Sequence, residues 1–174
     1  LFCMGNFMDN LYSPWRSLYI QSFKDKKESE GCVFCNCDFE NYKTDDSQIV
    51  YNGKHCFVML NLYPYNSGHL MVIPKRHLCD IQLLSDEEEI EIMKLIKLCT
   101  RALSSAMKPQ GFNVGANLGK AAGAGIDQHL HFHIVPRWIG DINFMPAIGE
   151  VKVISSDMLE IKKQLLKAFD ELES

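Results

Sequence analysis

The chain has 174 residues, a length that fits one domain with a substantial buried core. Its 18 lysines and arginines stand against 22 acidic residues, a formal net charge of -4. This balance excludes the broad basic surface that binding to nucleic acid or to an anionic membrane requires.

The apolar stretches, such as "CFVML" and "HLMVIP", are strand-sized and far shorter than the roughly 18 residues of a membrane-spanning helix. No succession of basic, apolar and small residues marks a cleavable signal. We therefore expect a cytoplasmic protein without a membrane segment. The seven cysteines are an odd number, which favours reduced thiols over a disulfide framework.

Residues 1–30 are predicted to form an N-terminal arm. "LYSPWRSLYIQSF" is aromatic and apolar, and the charged "KDKKESEG" that follows it is typical of a solvated link. The arm is expected to cover either its own domain or a second subunit.

Cys32 and Cys35 follow the arm with the C-x-x-C spacing, which is half of a tetrahedral zinc site. The chain has no second such pair, so a metal would have to recruit distant ligands. Cys37 is a nearby competitor ligand. Two unrelated surface thiols are the alternative, because the strand-to-helix context of a redox dithiol is absent.

Strands are predicted on both sides of the next turn signal. "IVYNGKHCFVMLN" indicates two strands around an Asn52-Gly53 turn, because Asn-Gly is a strong hairpin signal. "GHLMVIPKRH" indicates a third strand that ends at Pro74.

A long amphipathic helix is predicted next. Ser85 and Glu88 have the spacing of a capping box, and we interpret the acidic run 86–89 as helix structure rather than as a metal site. Apolar residues then recur at helical spacing until Pro109 and Gly111 end the run: Ile92, Ile96, Cys99, Leu103 and Ala106.

After a fourth strand, "FNVGANL", and a flexible loop, "GKAAGAG", three histidines recur at every second position of "DQHLHFHIVPRW". Alternation places His129, His131 and His133 on one face of a fifth strand, with apolar residues on the other. Such a row suits a metal site or a neutral imidazole nucleophile held by its neighbours. A surface strand that carries histidines by chance is the alternative.

The glycines of the preceding loop, such as Gly123 and Gly125, would let the backbone turn amides toward a phosphate. The loop fits neither GxxxxGK[ST] nor a GxGxxG that opens a helix, which excludes nucleoside triphosphatase and dinucleotide folds. A plain flexible loop remains the other interpretation.

A closing helix is predicted over residues 156–169. Consecutive strands joined by turns, with one long crossing helix and a C-terminal helix, indicate an α+β domain on a five-stranded antiparallel sheet.

"HLHFHIV" resembles the mark of the histidine triad (HIT) superfamily of nucleotide hydrolases and transferases, His-φ-His-φ-His-φ-φ with φ apolar. The similarity extends over "FVMLNLYPYNSGHLMVIPKRH" and "GANLGKAAGAG". It is greatest to the diadenosine tetraphosphate phosphorylase and hydrolase branch, close to the fragile-histidine-triad type. The resemblance implies a HIT-like fold, with the HIT domain at 31–146 and a C-terminal extension at 147–174.

The resemblance also implies catalytic roles for four histidines. His131 matches the nucleophile, which attacks the α-phosphorus and forms a nucleotidyl-histidine intermediate that water or phosphate later releases. His133 matches the residue that contacts the phosphate and helps the leaving group, and His69 and His129 complete the network. A hydrogen-bonded core histidine is the alternative for His69.

In the nucleotide site, Asn61 matches a ribose contact and Asn117 a phosphate contact, although each could instead be a turn or strand-end cap. Gly123 and Gly125 would present amides to the phosphates, together with His131 and His133. Trp138 has two interpretations, stacking on a base and packing at a subunit interface.

Some relatives in this family carry a structural zinc before the domain, and the matching residues here are Cys32, Cys35, His77 and His129. They would make a closed Cys2His2 site that stays outside the reaction. No organic cofactor is expected.

The resemblance implies a nucleotide hydrolase or transferase that cleaves dinucleoside polyphosphates through His131, and edge-to-edge pairing of two sheets in a homodimer, with a tetramer left open. Alternatives are an adenosine 5'-phosphoramidase, a nucleotide-binding sensor without turnover, and a hydrolase with zinc on all three histidines. Whether phosphate or water completes the reaction stays open.

Overall fold

The structure is a computed structural model that describes residues 31–141 and 157–173. The predicted arm, residues 1–30, lies outside this part of the chain. The strands are β1 (Ile49–Asn52), β2 (Cys56–Leu60), β3 (Leu70–Pro74), β4 (Gly111–Ala116) and β5 (Phe132–Arg137). The helices are α1 (Asp86–Met107) and α2 (Met158–Glu173).

The five strands form one antiparallel sheet in the order β1-β2-β3-β5-β4. The chain runs from β3 through α1 to the edge strand β4, and β5 then inserts between β4 and β3. This architecture confirms the predicted α+β fold with a five-stranded antiparallel sheet, a long crossing helix and a C-terminal helix.

Both helices pack on the same face of the sheet. Ile92, Cys99 and Leu103 of α1 are buried in a core that also contains Leu165 and Phe169 of α2. The helical spacing of apolar residues therefore predicted the buried faces. The helix at the C-terminus begins two residues later than expected and continues past residue 169.

The N-terminus of α1 has the predicted capping box. Ser85 Oγ accepts a hydrogen bond from the Glu88 amide, and a carboxylate oxygen of Glu88 accepts one from the Ser85 amide. The same carboxylate binds Arg76 at 2.6 Å. The acidic run is thus part of the helix start, as interpreted from the sequence.

The β1–β2 hairpin is present, but its turn lies beyond Asn52-Gly53. Asn52 pairs with Phe57, and the Gly53 amide donates to the Cys56 carbonyl at 2.9 Å. The carboxylate of Glu91 in α1 accepts from the amides of residues 55 and 56. A Cβ on Gly53 would lie 2.2 Å from a Glu91 oxygen, so glycine at this position lets the Glu91 carboxylate come close to the turn.

The histidine segment only partly follows the prediction of a strand, because β5 begins at Phe132. His129 and His131 precede it, and of the three only His133 pairs with β3. The ladder with β3 stops at the pair of Val72 and Phe132. Pro74, two residues further along β3, has no amide hydrogen, and its carbonyl oxygen faces the His129 ring at 2.8 Å. Among the described residues, no helix is long and apolar enough to cross a bilayer.

Candidate active site and metal cluster

The site lies on the sheet face opposite the helices. Phe34, Ile49, Phe57, Met71 and Ile73 form a second apolar cluster there. Met71 is the pairing partner of His133, and the Phe34 ring lies 5.4 Å from the ring of His129 and 5.5 Å from that of His131. The histidines are therefore set into an apolar surface.

His131 is held in one tautomer by the backbone. Its Nδ1 atom lies 2.8 Å from the carbonyl oxygen of His129, and a carbonyl only accepts, so Nδ1 carries the hydrogen. In the neutral ring Nε2 then has the lone pair. Burial lowers the pKa of His131 below its usual 6.5, against the opposing effect of this hydrogen bond. A neutral imidazole with a defined nucleophilic nitrogen results.

His69 and His133 form a second ordered pair. The Tyr65 amide donates to His69 Nδ1 at 3.0 Å, so the proton of neutral His69 lies on Nε2. That nitrogen is 3.0 Å from His133 Nδ1. His133 therefore accepts at Nδ1 and, when neutral, carries its own proton on Nε2. Its ring lies edge-on to the His131 ring at 4.8 Å.

A tight turn presents His69 to this pair. The His69 amide donates to the Asn66 carbonyl at 3.1 Å, and Gly68 has a φ of +76°. A Cβ on Gly68 would lie 2.5 Å from the sulfur of Met107, a flexible side chain, so the positive φ is the main reason for glycine here. His69 is fully buried and hydrogen-bonded, which fits the core-histidine alternative as well as a catalytic network.

A group of polar residues at the end of β5 was not predicted from the sequence. The Asp141 carboxylate accepts two hydrogen bonds from Arg137, at 2.7 and 2.8 Å, one from Asn66 and one from the Trp138 amide. These bonds, the Arg137 bonds above all, hold the pKa of Asp141 well below its usual range. The i, i+4 spacing of Arg137 and Asp141 was the only local signal.

Asn61 is buried at the end of β2. Its Oδ1 accepts from the Tyr63 amide at 2.9 Å, the geometry of a strand-end cap. A ribose hydroxyl would have to share this oxygen or use Nδ2. Asn117 follows β4, and the β4–β5 register, continued by one residue, places it opposite His131.

The glycine-rich loop contains a short 3-10 turn at Lys120–Ala122 where the sequence predicted a flexible loop. The Gly123 amide donates to the Lys120 carbonyl at 3.0 Å, so presenting it to a phosphate would require this turn to open. Lys120 also pairs with Asp127 at 3.5 Å. Gly125 lies in the following bend, next to Ile126, which packs on the histidine face of the sheet.

The four predicted metal ligands lie together. The ligand atoms of Cys32, Cys35, His77 and His129 are all within 4.8 Å of one another. Cys32 Sγ lies 3.2 Å from His129 Nδ1, and Cys35 Sγ lies 3.2 Å from His77 Nδ1. Tetrahedral zinc bound by sulfur and nitrogen would separate such atoms by about 3.5 Å. The cluster could therefore hold a metal ion.

The orientation of His129 fits this use. Its Nε2 faces the Pro74 carbonyl and so carries the hydrogen, which leaves the Nδ1 lone pair toward the two thiols. Cys37 is not one of the four clustered residues, and its sulfur instead lies 3.6 Å from the Val33 carbonyl.

The three histidines of the motif do not converge on one point. Nδ1 of His129 faces the cysteines, that of His131 faces a carbonyl, and that of His133 faces His69. Within residues 31–141 and 157–173, the only one of the three in a possible metal-binding group is His129. The geometry thus does not support a hydrolase with zinc on all three.

Comparison with known proteins finds similarity along most of the chain. The model of the HIT domain matches residues 43–138. An AP-4-A phosphorylase of Mycobacterium tuberculosis is 36% identical over 161 residues, which cover 91% of this chain and 83% of that protein. An adenosine 5'-monophosphoramidase of Schizosaccharomyces pombe is 33% identical over 110 residues, 62% of this chain and 74% of that protein.

Solved structures share the fold. A zinc-bound histidine triad family protein from Mycobacterium smegmatis superposes with a TM-score of 0.63 at 26% identity, and the match covers 82% of this chain and 96% of that protein. The HIT-like fold expected from the resemblance is confirmed.

Proposed function

The chain belongs to the HIT domain family, and on this premise we propose that it is an enzyme that cleaves dinucleoside polyphosphates, such as diadenosine tetraphosphate. The proposed route is a nucleotidyl-histidine intermediate on His131. Similarity to an AP-4-A phosphorylase over 91% of the chain supports the substrate class.

One observation carries the choice of His131 as nucleophile. The hydrogen bond from its Nδ1 to the His129 carbonyl leaves the Nε2 lone pair for attack, and burial favours the neutral ring. When Nε2 forms a bond to phosphorus, the ring becomes cationic. The same carbonyl then stabilises the charged Nδ1–H, so the bond strengthens as the reaction proceeds.

The first half-reaction is a substitution at the α-phosphorus. A bond forms between His131 Nε2 and phosphorus while the bond from phosphorus to the bridging oxygen breaks, and the leaving nucleotide keeps that oxygen and its electron pair. In the second half-reaction, water or inorganic phosphate attacks the same phosphorus, and the bond to Nε2 breaks with its electron pair returning to the ring. An attacking water gives up one proton to solvent. His131 returns to its neutral form.

His133 is proposed to contact the phosphate and assist the leaving group. Because His69 Nε2–H faces its Nδ1, the proton of neutral His133 lies on Nε2, the nitrogen left to donate to a phosphate oxygen. His69 sets this tautomer, and its own tautomer is set by the Tyr65 amide. His129 contributes its carbonyl.

Asn61 and Asn117 are proposed to bind ribose and phosphate, and Gly123 and Gly125 to lie along the phosphates. The position of Asn117 opposite His131 supports a contact from Asn117 to the phosphate. For Gly123, the proposal includes opening of the 3-10 turn that now engages its amide.

We propose that the metal cluster holds structural zinc on Cys32, Cys35, His77 and His129. Bound there, zinc would supply a closed tetrahedral crosslink and no chemistry at phosphorus. It would tie the segment after the arm to the histidine segment, because the two cysteines and His129 are about a hundred residues apart. Likeness to a zinc-bound HIT family protein supports this choice of metal.

Two further parts of the proposal are a homodimer and a cytoplasmic location. β4 is an edge strand, and Val114 on it is 48% exposed, as is Leu118 just beyond. An unpaired edge with exposed apolar residues favours pairing with a second copy. The reduced-thiol chemistry of a Cys2His2 site favours the cytoplasm.

A second candidate function is cleavage of adenosine 5'-phosphoramidates. The similarity to an adenosine 5'-monophosphoramidase favours it. It shares the first half-reaction on His131 and differs in the leaving group, an amine in place of a nucleotide. Rates of the two substrates, measured side by side on one preparation, separate the candidates.

The test of the proposed function is product analysis with diadenosine tetraphosphate, with and without inorganic phosphate. ADP plus ATP formed only with phosphate identifies a phosphorylase, and AMP plus ATP formed without it identifies a hydrolase. Absence of products, with turnover of a phosphoramidate, would overturn the first candidate in favour of the second. Binding without any turnover would leave only the sensor.

A further inference from the structure

We propose that Asp141 is a positioning residue for the reaction. It fixes the side-chain amide of Asn66, and Asn66 clamps the turn that carries His69 onto the strand that carries His133. The inference rests on the proposed function, since it assigns a catalytic consequence to the His69–His133 contact.

The Asn66 contact is the second of two attachments that hold the His69 turn against β5. On one side, sheet pairing joins Leu70 to Ile134 and Met71 to His133, and it does not extend back to His69. On the other side, Asn66 Nδ2 donates to the Pro136 carbonyl of β5 at 3.0 Å. Along the chain His69 lies between these two attachments, and its partner at 3.0 Å, His133, belongs to the paired strand.

The carboxylate is suited to hold Asn66 because four donor contacts converge on it. Arg137 donates to both oxygens, while Asn66 Nδ2 at 2.8 Å and the Trp138 amide at 3.1 Å donate to Oδ2. An amide at position 141 would offer one acceptor oxygen and turn an NH2 group toward another donor. With the oxygen in the Oδ2 position, the NH2 group faces Arg137 Nη2, so the bidentate pair that fixes the side chain holding Asn66 is lost.

Arg137 links the Asp141 carboxylate to the edge strand β4. Its Nη1 donates to Asn113 of β4 at 2.8 Å while Nε and Nη2 hold Asp141. The Asp141 side chain is 9% exposed. The carboxylate is thus fixed by two strands before it meets Asn66, and its position does not depend on a mobile side chain.

The expected consequence is a loss in the chemical step rather than in binding. If the turn shifts, the His69–His133 contact lengthens and His133 loses its fixed tautomer, whereas Asn117 and the glycine-rich loop, the proposed phosphate contacts, lie outside this turn. Asp141→Asn is expected to lower kcat about tenfold while KM changes by less than about twofold. Asp170→Asn, which breaks the exposed pair with Lys43, is the matched control and should leave both unchanged.

A double-mutant cycle tests the route through Asn66. Asn66→Ala removes the clamp but leaves the Arg137–Asp141 pair, so it should reproduce the loss in kcat, and the double variant should be no worse than either single one. Additive losses would overturn the proposal. If Asp141→Asn does not fold, Asn66→Ala alone still tests the proposal. An unchanged kcat in Asn66→Ala would overturn it.

A spectroscopic readout separates this inference from the proposed function. Imidazole ¹⁵N shifts of the wild type should show His69 protonated on Nε2 and His133 on its own Nε2, and Asp141→Asn should change the His133 pattern. If the wild type does not turn over dinucleoside polyphosphates, the proposed function fails while the shifts still test the clamp. Unchanged shifts in an active enzyme overturn the clamp alone.

Discussion

The Nδ1 atom of His131 lies 2.8 Å from the carbonyl oxygen of His129, two residues earlier in the segment that leads into β5. The backbone carbonyl of His129 thus orients the ring of His131, while the ring of His129 itself faces the cysteines. The alternating spacing therefore allows one short segment to serve the reaction and the metal cluster with separate histidines.

Replacement of the nucleophile should stop turnover without removing the nucleotide. In His131→Asn no imidazole nitrogen can attack phosphorus, and kcat for diadenosine tetraphosphate should fall by at least about 10³-fold. Binding of AMP, measured by calorimetry, should persist because ribose and phosphate contacts remain. His55→Asn, at the one histidine outside the site and the metal cluster, is the control; full activity of His131→Asn would refute the nucleophile assignment.

Loss of a metal ligand should affect stability first. The wild type is expected to contain about one zinc per chain, and Cys35→Ser to lose it and to unfold at a temperature lower by on the order of 10 °C. Cys35 is exposed and contacts both ligand histidines, so its removal opens the cluster directly. Metal analysis and thermal unfolding measure both effects.

The matched control is Cys79→Ser, an exposed cysteine outside the cluster, which should change neither zinc content nor melting temperature. Chelation should abolish activity only as the protein unfolds. Loss of activity from a folded, zinc-free protein would contradict the structural role and point to a catalytic metal.

Pairing through the edge of the sheet should be sensitive to charge on β4. Val114→Lys places an ammonium where a second sheet would pack, and it should convert a dimer into a monomer in sedimentation velocity. Leu83→Lys, a change at another exposed apolar residue, should leave the dimer intact. A wild type that sediments as a monomer would contradict the dimer outright.

Sequence predicted those features that short-range physics determines. The capping box at Ser85 depends on residues three apart, and the core face of α1 on a helical repeat, so both were readable. The clustering of Cys32 with His129 came from the resemblance to a family. Residue spacing could not have predicted this contact, because Cys32 and His129 are 97 positions apart.

The differences arise where distant residues decide local structure. The hairpin turn moves past Asn52-Gly53 because Glu91, from a helix over thirty residues later, binds the turn amides. β5 starts late because its ladders with β3 and β4 both end at Phe132, opposite Val72 and Ala116. The clamp from Asn66 to Asp141 spans 75 positions and follows no periodic pattern, so no reading of the sequence alone could place it.

Acid should destabilise the protein partly through Glu88. The hydrogen bonds from Arg76 hold the pKa of Glu88 below its usual value. A lowered folded pKa means that the carboxylate stabilises the fold above the unfolded value, about 4.3, and that this stability is lost as pH falls through the folded pKa. Glu88→Gln should cost about 2 kcal/mol at pH 7 and progressively less below about pH 4.

Urea unfolding at a series of pH values measures this difference. Glu89→Gln, the neighbouring exposed acid of the same helix turn, is the control and should have a small effect at every pH. A cost of Glu88→Gln that stays constant down to pH 2 would show that burial of the side chain, rather than its charge, supports the helix start.

Lys162 should prove a structural cation rather than a catalytic one. This residue of α2 is only 3% exposed, and its ammonium donates to the carbonyls of Tyr42, Thr44 and Ser47, which lie in two successive turns. Lys162→Met leaves these three carbonyls without a charged donor and should lower the free energy of unfolding by about 3 kcal/mol. Because α2 packs on the sheet face opposite the histidines, kcat of the folded variant should be unchanged. Lys163→Met, at the adjacent exposed lysine, is the control. Equal stabilities of the two variants in urea unfolding would contradict a stabilising role for the bonds from Lys162 to the three carbonyls.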